Sequence, residues 1–380
     1  IDVASFFYLF FVFYLFKTRF RPKDPVTILK EKFGKRRQYL VKVSKIPLRN
    51  ISQYAQELSA SISKLQLNGI AVLNQHIASP LLSSFNERLQ QFRLSLGKNL
   101  TLALGLEIPD FDLKPKEVAD RLLPLTSAAD VIILQTHYRR LWKFCRSAYP
   151  SIFQESNNTC QQSVPMLNAL KWAKLMVTNI HICLSVNLAT LRFHYVDTPG
   201  SDLPCTKSRE IPNYCESGSW NESNDALFSM SAHRHTDGLW DAFEEELLIK
   251  AKVEKIMAAR PKSCWAVFNV DYDRETSSCS VHKERFARLK SLGKAAGYSS
   301  DWRDITQSDK SDSERGRIGM ATNNRTQVKG SLLCVFSGAI SERLLPPKGL
   351  CTAAIYTTVL YDEVKKTLVV KDGNSLHHFS

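Results

Sequence analysis

Three residues with metal-binding side chains, His233, His235 and Asp237, alternate within the stretch SAHRHTDGLW at residues 231–240. Alternate residues of a β-strand point to the same face, so a strand here would present all three groups together. Imidazole nitrogens and a carboxylate on one face form a mixed N/O ligand set for a metal ion. The alternative is a solvated polar strand end in which Asp237 and Gly238 form a turn. The triplet alone favours this second interpretation.

The metal chemistry that suits the triplet is that of the two-His-one-carboxylate Fe(II) oxygenases. His235 and Asp237 would supply two ligands from one rigid strand end, and a distant His would supply the third. These ligands occupy one face of an octahedron, so the opposite face stays open for a co-substrate and O₂.

The surrounding elements predict an α+β chain, with helices first and a strand-rich C-terminal half. Helices are predicted over residues 51–69, 79–97, 128–153, 165–186, 241–260 and 283–298. Strands are predicted over residues 70–74, 188–196, 264–273, 331–338, 350–363 and 367–373, and the polar stretches 197–229 and 305–329 are predicted as loops.

Three further stretches resemble the isopenicillin-N-synthase-like 2-oxoglutarate/Fe(II)-dependent dioxygenases. GIAVLNQHIASPLLSSFNERLQQF, residues 69–92, is similar to that family's N-terminal strand and following helix. LATLRFHYVDTPG, residues 188–200, is similar to the strand that precedes the metal motif. KGSLLCVFSGAISERLL, residues 329–345, is similar to a later strand and turn. With the triplet, these stretches keep the family's order over about half of the chain.

This resemblance implies a double-stranded β-helix, or jelly-roll, core with N-terminal helices and a helical insertion. It further implies Fe(II) bound by His235 and Asp237, 2-oxoglutarate as co-substrate, and Tyr195 as a residue that contacts the co-substrate. The implied activity is a non-haem Fe(II)/2-oxoglutarate-dependent oxygenase, an oxidoreductase acting on an unidentified small organic substrate.

The sequence departs from the family at two places. The third ligand is expected near Ile355 to Thr357, where no His stands, and His282, His377, His378 or the phenolate of Tyr356 would have to replace it. Lys365 or Lys366 occupies the region of the family's 2-oxoglutarate-binding Arg, without the bidentate guanidinium fork. The rival hypothesis is therefore a catalytically inactive dioxygenase-fold protein that acts as a membrane-associated binding or scaffold module.

The N-terminal segment predicts attachment to a membrane. Residues 3–16, VASFFYLFFVFYLF, are apolar apart from Ser5, but they are shorter than the ~20 residues that span a bilayer as a helix. The predicted organisation is a hydrophobic anchor or leader at 1–16, a basic linker at 17–45 and a dioxygenase-like domain at 46–380. That domain divides into a mainly helical part at 46–187 and a jelly-roll part at 188–380 with an insertion at 239–329.

The basic linker carries most of the chain's net charge of +14. The rest of the chain is only mildly basic, so no nucleic-acid partner is expected. The predicted partners are a membrane surface and a small-molecule substrate, and the oligomeric state stays open. An endomembrane location is predicted, with the cytoplasm as the alternative. Positive charge after the apolar run favours a cytosolic body, whereas five Asn-x-Ser/Thr sequons, at Asn50, Asn99, Asn157, Asn221 and Asn324, favour a lumenal one.

Nine cysteines lie between Cys145 and Cys351, with no CxxC pair. This pattern contains no zinc-ribbon spacing and no recognisable disulfide framework. Cys205 and Cys215 flank a loop and could pair in a lumenal body, but the sequence favours ordinary buried thiols.

Overall fold

The computed structural model describes most of the chain between residues 38 and 370. Within that span the residues not described are 44–45, 78–80, 109–112, 139–144, 155–162, 177, 213–219, 226–228, 262, 274–283, 298–331, 338–344, 347–349, 358 and 363–366. The predicted anchor, most of the predicted linker, His282, His377, His378, Lys365, Lys366 and Cys215 therefore lie outside the described residues. Among the described helices, none has the length and apolar character needed to cross a bilayer.

The described elements are fifteen strands and six α-helices. The strands are β1 Gln38–Val43, β2 Gly69–His76, β3 Thr101–Glu107, β4 Val131–Leu134, β5 His181–Asn187, β6 Thr190–Tyr195, β7 Cys205–Ile211, β8 Asn221–Asp225, β9 Ser229–Arg234, β10 Leu239–Phe243, β11 Cys264–Phe268, β12 Leu332–Phe336, β13 Ala353–Tyr356, β14 Val359–Asp362 and β15 Thr367–Val370. The helices are α1 Ile51–Lys64, α2 Leu82–Leu96, α3 Pro115–Leu122, α4 Met166–Leu175, α5 Glu246–Ala259 and α6 Ala287–Ala295.

Eight parallel strands close into a barrel in the order β1-β2-β3-β4-β5-β11-β12-β13, and β13 pairs with β1. Each of the six helices follows one barrel strand and precedes the next. This alternation is the (β/α)₈, or TIM-barrel, topology. Strand β1 begins at Gln38, inside the segment that the sequence assigned to the basic linker.

The predicted jelly roll is therefore wrong, because four of the eight barrel strands, β1, β3, β4 and β5, were not predicted as strands. Residues 128–153 were predicted as a helix but contain barrel strand β4. Residues 165–186 were predicted as one helix but contain α4 followed by most of β5. Strands buried on both faces are continuously apolar, and such runs cannot be told from buried helix by periodicity alone. Without these four strands, the sequence did not show the strand–helix alternation that marks a parallel barrel.

Two hydrophobic layers hold the barrel together. The inner layer consists of small and branched residues contributed by all eight strands: Leu40, Ala71, Leu73, Ala103, Val131, Ile133, Cys183, Cys264, Ala266, Phe268, Leu333, Val335, Ala353 and Ile355. The outer layer lies between the strands and the helices and includes Ile132, Leu134 and Trp265. Adjacent residues of one strand thus serve opposite layers, as the period of two requires.

A second sheet is inserted between β5 and α5. It is antiparallel, with strand order β7-β6-β10-β9-β8. Its aromatic side chains Phe193 and Trp240 pack against Tyr138 and Tyr149 of the segment that follows β4. Residues 197–229, predicted as a loop, therefore contain the two edge strands of this sheet.

Buried ion pairs anchor the inserted sheet to the rest of the molecule. Lys252 of α5 donates to both carboxylate oxygens of Glu244, at 2.7 and 2.9 Å, and both side chains are fully buried. Burial lowers the pKa of Lys252, against the opposing attraction of Glu244. Ser151 bonds the same pair from the segment after β4. Removing either side chain would leave the other as an uncompensated buried charge, which would destabilise the fold.

The six cysteines in the described part of the chain form three disulfides: Cys145–Cys205, Cys183–Cys264 and Cys334–Cys351. The proposed pairing of Cys205 with Cys215 is wrong, because Cys205 is bonded to Cys145. The expectation of ordinary buried thiols is wrong for the same six residues. Cys183 and Cys264 stand opposite each other on the neighbouring strands β5 and β11, a contact that sequence spacing does not reveal.

Candidate functional site

The C-terminal ends of the barrel strands form the candidate site, because ligands of (β/α)₈ barrels bind at this end. The inward-facing positions of β4 continue from Val131 and Ile133 to Gln135 and His137 just beyond the strand. The same alternation places polar residues above the apolar inner layer on other strands. They are Glu107 after Ala103, Ser185 and Asn187 after Cys183, and Ser337 after Val335. We call this polar upper layer the barrel mouth.

Gln135 lies at the mouth and is joined to strand β2, which β3 separates from β4. Its Nε2 donates to Oδ1 of Asn74 at 2.8 Å. Asn74 has a left-handed backbone, with φ of 64°, at an irregularity in the pairing of β2 with β3. Gln135 is only 1% exposed, and its Oε1 is buried without a hydrogen-bond partner. A buried carbonyl oxygen left unpaired costs about 1–3 kcal/mol, so this atom is a ready acceptor for a ligand donor.

His137 lies two residues further along the same face and is buried. Its Nδ1 is 2.7 Å from Oγ of Ser185, which also accepts a 2.8 Å hydrogen bond from the Thr136 amide. The imidazole ring packs on Phe268, with ring centroids 4.2 Å apart. The Phe268 ring and the Ser185 hydroxyl thus fix the imidazole in one orientation at the mouth.

A chain of amides and hydroxyls continues around the mouth. Asn187 accepts from Nδ2 of Asn269 at 2.6 Å and from the Ala189 amide at 2.9 Å. Oγ of Ser337 donates to Oδ1 of Asn269. Three strands, β5, β11 and β12, are tied together by these bonds at their C-terminal ends. Each bond is between neutral groups.

Three carboxylates also lie at or just beyond the described C-terminal ends of the barrel strands. Glu107, at the end of β3, is nearly buried, and its Oε2 is 3.9 Å from Nδ1 of His76. Asp271 accepts a 3.0 Å hydrogen bond from the Ser337 amide. Asp273 forms a buried ion pair with Arg288 of α6, at 3.0 Å. The last two carboxylates thus have structural partners of their own.

The inserted sheet forms one wall beside the mouth. Nδ2 of Asn187 donates to Glu210 of β7 at 3.1 Å, which links the barrel to the sheet's edge. Behind this edge, Arg192 makes a bidentate pair with Asp241, which has no exposed surface. Burial raises the pKa of Asp241, and the neighbouring Arg192 opposes that shift.

The residues singled out by sequence lie on this inserted sheet and not at the strand ends of the barrel. His235 and Asp237 form a short 3₁₀ turn after β9, and Tyr195 ends β6. The carboxylate of Asp237 is 43% exposed and pairs with Arg234 at 3.1 Å. His235 contacts His233 instead, with the two Nε2 atoms 3.2 Å apart. Across the described ranges, no group of three or more His, Cys, Asp or Glu residues could hold a metal ion.

Sequence reasoning missed Gln135, His137 and Ser185 altogether. The signal that points to them is a short apolar run that ends abruptly in polar residues, VIILQTH at 131–137 and CLSVN at 183–187. In a parallel barrel such a polar end falls at the functional face. This pattern can be interpreted only after the apolar run has been identified as a strand.

Comparison with known proteins agrees with the barrel. No protein-family model and no curated protein sequence matches the chain. Solved structures of similar fold include the immunomodulatory active chitinase TsES1 of Trichuris suis, with a TM-score of 0.55 and 12% identity over 68% of this chain and 80% of that one. The Group IV chitinase of Ostrinia furnacalis has a TM-score of 0.54 and 14% identity, covering 71% and 82% of the two chains. Human YKL-39, described as a pseudo-chitinase with retained chitooligosaccharide binding properties, has a TM-score of 0.51 and 11% identity, covering 67% and 80%.

These neighbours overturn the dioxygenase resemblance and everything that depended on it. The chain has the fold of chitinases and of a pseudo-chitinase, not that of an Fe(II)/2-oxoglutarate oxygenase. The expectations of an oxidoreductase, of Fe(II) and of 2-oxoglutarate are therefore wrong, and so is the rival hypothesis of an inactive dioxygenase fold. The general expectation of a small-molecule ligand is consistent with these neighbours, one of which is described as binding chitooligosaccharides.

Proposed function

We propose that the protein binds an N-acetylglucosamine oligosaccharide at the barrel mouth and does not hydrolyse it. The observation that carries this proposal is the buried, unpaired Oε1 of Gln135 on the inward face beyond β4. A ligand that supplies an N–H or O–H donor there removes the cost of leaving the oxygen unpaired. Sugars with acetamido groups carry both kinds of donor.

The rest of the mouth supports a neutral, polar ligand. Asn187, Asn269 and Ser337 offer amide and hydroxyl groups in a preformed network, which a ligand can join without reorganising it. The rings of His137 and Phe268 supply an apolar surface next to these groups. Binding sites commonly combine such apolar surface with a few convergent polar groups.

The similar structures suggest the ligand class. One neighbour, a mutant of an Ostrinia furnacalis Group II chitinase domain, is described in complex with penta-N-acetylchitooctaose. Another is described as a pseudo-chitinase that retains chitooligosaccharide binding. The fold is therefore compatible with oligosaccharide binding in the absence of hydrolysis.

The carboxylates explain why we propose binding rather than hydrolysis. Glycoside hydrolysis needs a carboxylic acid positioned to protonate the leaving oxygen, and most such enzymes use two carboxyl groups. Asp271 and Asp273 are held by the Ser337 amide and by Arg288. Glu107 lies beside His76, so the neighbour of this carboxylate is basic rather than apolar. An apolar environment is what raises a carboxyl pKa to suit an acid catalyst.

Calorimetric titration with N-acetylchitotetraose tests the proposal. We expect saturable binding to the wild type and at least a roughly ten-fold weaker affinity in Gln135→Ala, since one hydrogen bond in a buried site contributes about 1–3 kcal/mol. Gln53→Ala makes the same chemical change on the exposed surface of α1 and should leave the affinity unchanged. Absence of binding to the wild type, or equal losses in the two variants, contradicts the proposal.

Product analysis separates binding from hydrolysis. The tetrasaccharide should remain intact during prolonged incubation with the wild type. Release of shorter oligosaccharides contradicts the non-hydrolytic part of the proposal. In that case, loss of the products in Glu107→Gln would identify Glu107 as the acid.

A further inference from the structure

We infer that the folded body lies in an oxidising compartment outside the cytosol and that Asn50 and Asn99 carry N-linked glycans. The two parts of this inference come from independent observations, the disulfides and the sequons. Neither part depends on the proposed ligand.

The disulfides join parts of the fold that are distant in sequence. Cys145–Cys205 closes 60 residues and ties the segment after β4 to the inserted sheet. Cys183–Cys264 closes 81 residues and links two barrel strands, while Cys334–Cys351 joins β12 to the segment just before β13. Structural disulfides of this kind persist in secretory and extracellular compartments and are rare in the cytosol. The disulfides are therefore stronger evidence about the compartment than the positive charge after the apolar run, which by itself favours a cytosolic body.

Three of the five sequons lie in the described residues, and those at Asn50 and Asn99 are exposed outside the strands and helices, whereas Asn221 begins strand β8. Asn50 is exposed just before α1, and its side chain makes no capping hydrogen bond to that helix. Asn99 is exposed in the turn between α2 and β3. The hydroxyl residues of the two sequons, Ser52 and Thr101, follow at the required spacing. A glycan needs such an exposed loop position, since its bulk cannot enter the packed layers.

The modification is a glycosyl transfer from a lipid-diphosphate-linked oligosaccharide. A bond forms between Nδ2 of the asparagine and the anomeric carbon of the first sugar. The bond from that carbon to the diphosphate breaks, the lipid diphosphate leaves with the bonding electron pair, and the amide loses one proton. Both the donor and the transferase belong to the lumen of the secretory pathway.

The two sites lie at opposite ends of the barrel. Asn50 follows β1 and is on the side of the mouth, whereas Asn99 precedes β3 and is on the opposite side. A glycan at Asn99 is therefore far from the proposed ligand. Asn99→Gln should lose a glycan and keep the wild-type affinity for N-acetylchitotetraose.

Expression of the full chain in eukaryotic cells, followed by endoglycosidase digestion, tests the glycans. We expect the wild type to shift in electrophoretic mobility on digestion, Asn50→Gln and Asn99→Gln each to lose one step, and the double variant to lose two. Ser52→Ala and Thr101→Ala should lose the same steps, while Ser52→Thr and Thr101→Ser keep the sequons and should keep the steps. If the steps at Asn50 and Asn99 are absent in wild type, or if the sequon-preserving variants lose them, the inference is overturned.

Alkylation of the same protein without reduction tests the compartment separately. We expect no more than three of the nine cysteines to react in denaturant before reduction, and all nine after it. Nine reactive thiols before reduction would place the body in the cytosol and overturn the inference.

Discussion

Imidazole and carboxylate groups occur both at the end of β9 and at the barrel mouth. The two regions differ in how deeply these groups are buried and in how many strands contribute them. At the end of β9, His235 and Asp237 come from one short stretch, and the Asp237 carboxylate is largely in water. At the mouth, Glu107 and His137 come from separate strands, and both are buried. Residues at regular spacing in one short stretch thus form a polar surface, while single residues from several strands form a converging set of groups.

The burial of a polar group determines how much free energy of unfolding is lost when its partner is removed. In water, a lost partner is replaced by solvent, so a pair such as Asp237 with Arg234 contributes little. Inside the molecule, a lost partner leaves the remaining group unsatisfied. The comparison therefore predicts large effects at buried groups around the mouth and small effects at the end of β9.

The largest effect is expected for Lys252→Ala at the junction of the inserted sheet. Removing this lysine leaves Glu244 as an uncompensated buried charge, which should lower the free energy of unfolding by about 3–5 kcal/mol. Lys250→Ala on the same helix is the matched control, because Lys250 pairs with Glu254 on the exposed surface at 3.8 Å. That change should cost no more than about 1 kcal/mol. Denaturant unfolding of both variants measures the difference, and equal losses would show that the junction pair is not buried as described.

The next effect in size is expected for Asn187→Ala at the mouth. The change leaves Nδ2 of Asn269 and the Ala189 amide without their acceptor, and each is buried. We expect a loss of about 2 kcal/mol in the free energy of unfolding. Asn221→Ala makes the same change on exposed strand β8, beside His233, and should stay within about 0.5 kcal/mol. A loss at Asn221 as large as that at Asn187 would remove the distinction between the two regions.

Local patterns in the sequence predicted several individual elements. Helices α1 and α2, the strand between them, and the later strands β11, β12 and β13 are all confirmed. Each has a clear period or clear end signals, such as the helical spacing of Ile51, Leu58 and Ile62. Helix α5 is confirmed as well, although its predicted segment also includes the end of β10.

The architecture and the site could not be predicted in the same way. Strand β4 has only four residues, all apolar, so its period could not show. Because β5 was not predicted, nothing in the sequence indicated that Asn187, Asn269 and Ser337 contact one another, since tens of residues separate them. Their contact depends on barrel closure, which brings the C-terminal ends of all eight strands together. The alternate residues His233, His235 and Asp237, in contrast, were visible in sequence and lie on the inserted sheet and the turn after β9, not at the barrel mouth.

A smaller effect is expected for Asp237→Asn at the end of β9. This carboxylate pairs with Arg234 in a largely solvated position, so its loss should change the free energy of unfolding by less than about 1 kcal/mol. Asp273→Asn is the informative counterpart, because it disturbs a buried pair with Arg288 and should cost more. Affinity for N-acetylchitotetraose should be unaltered in Asp237→Asn. A loss of affinity there would place the end of β9 in the ligand site.

The smallest effect is the pH dependence contributed by His233. Partial burial lowers the pKa of His233 below its usual 6.5, and the nearby His235 lowers it further, while Asn221 acts in the opposite direction. A base with a lowered folded-state pKa binds protons more readily when unfolded, so this group contributes stability above about pH 6.5 that is lost as the pH falls below it. NMR titration should give His233 a midpoint below 6.5. In His235→Asn the midpoint should rise but stay below 6.5, since burial is the larger cause, whereas a midpoint at or above 6.5 in the wild type would show that His233 is fully solvated.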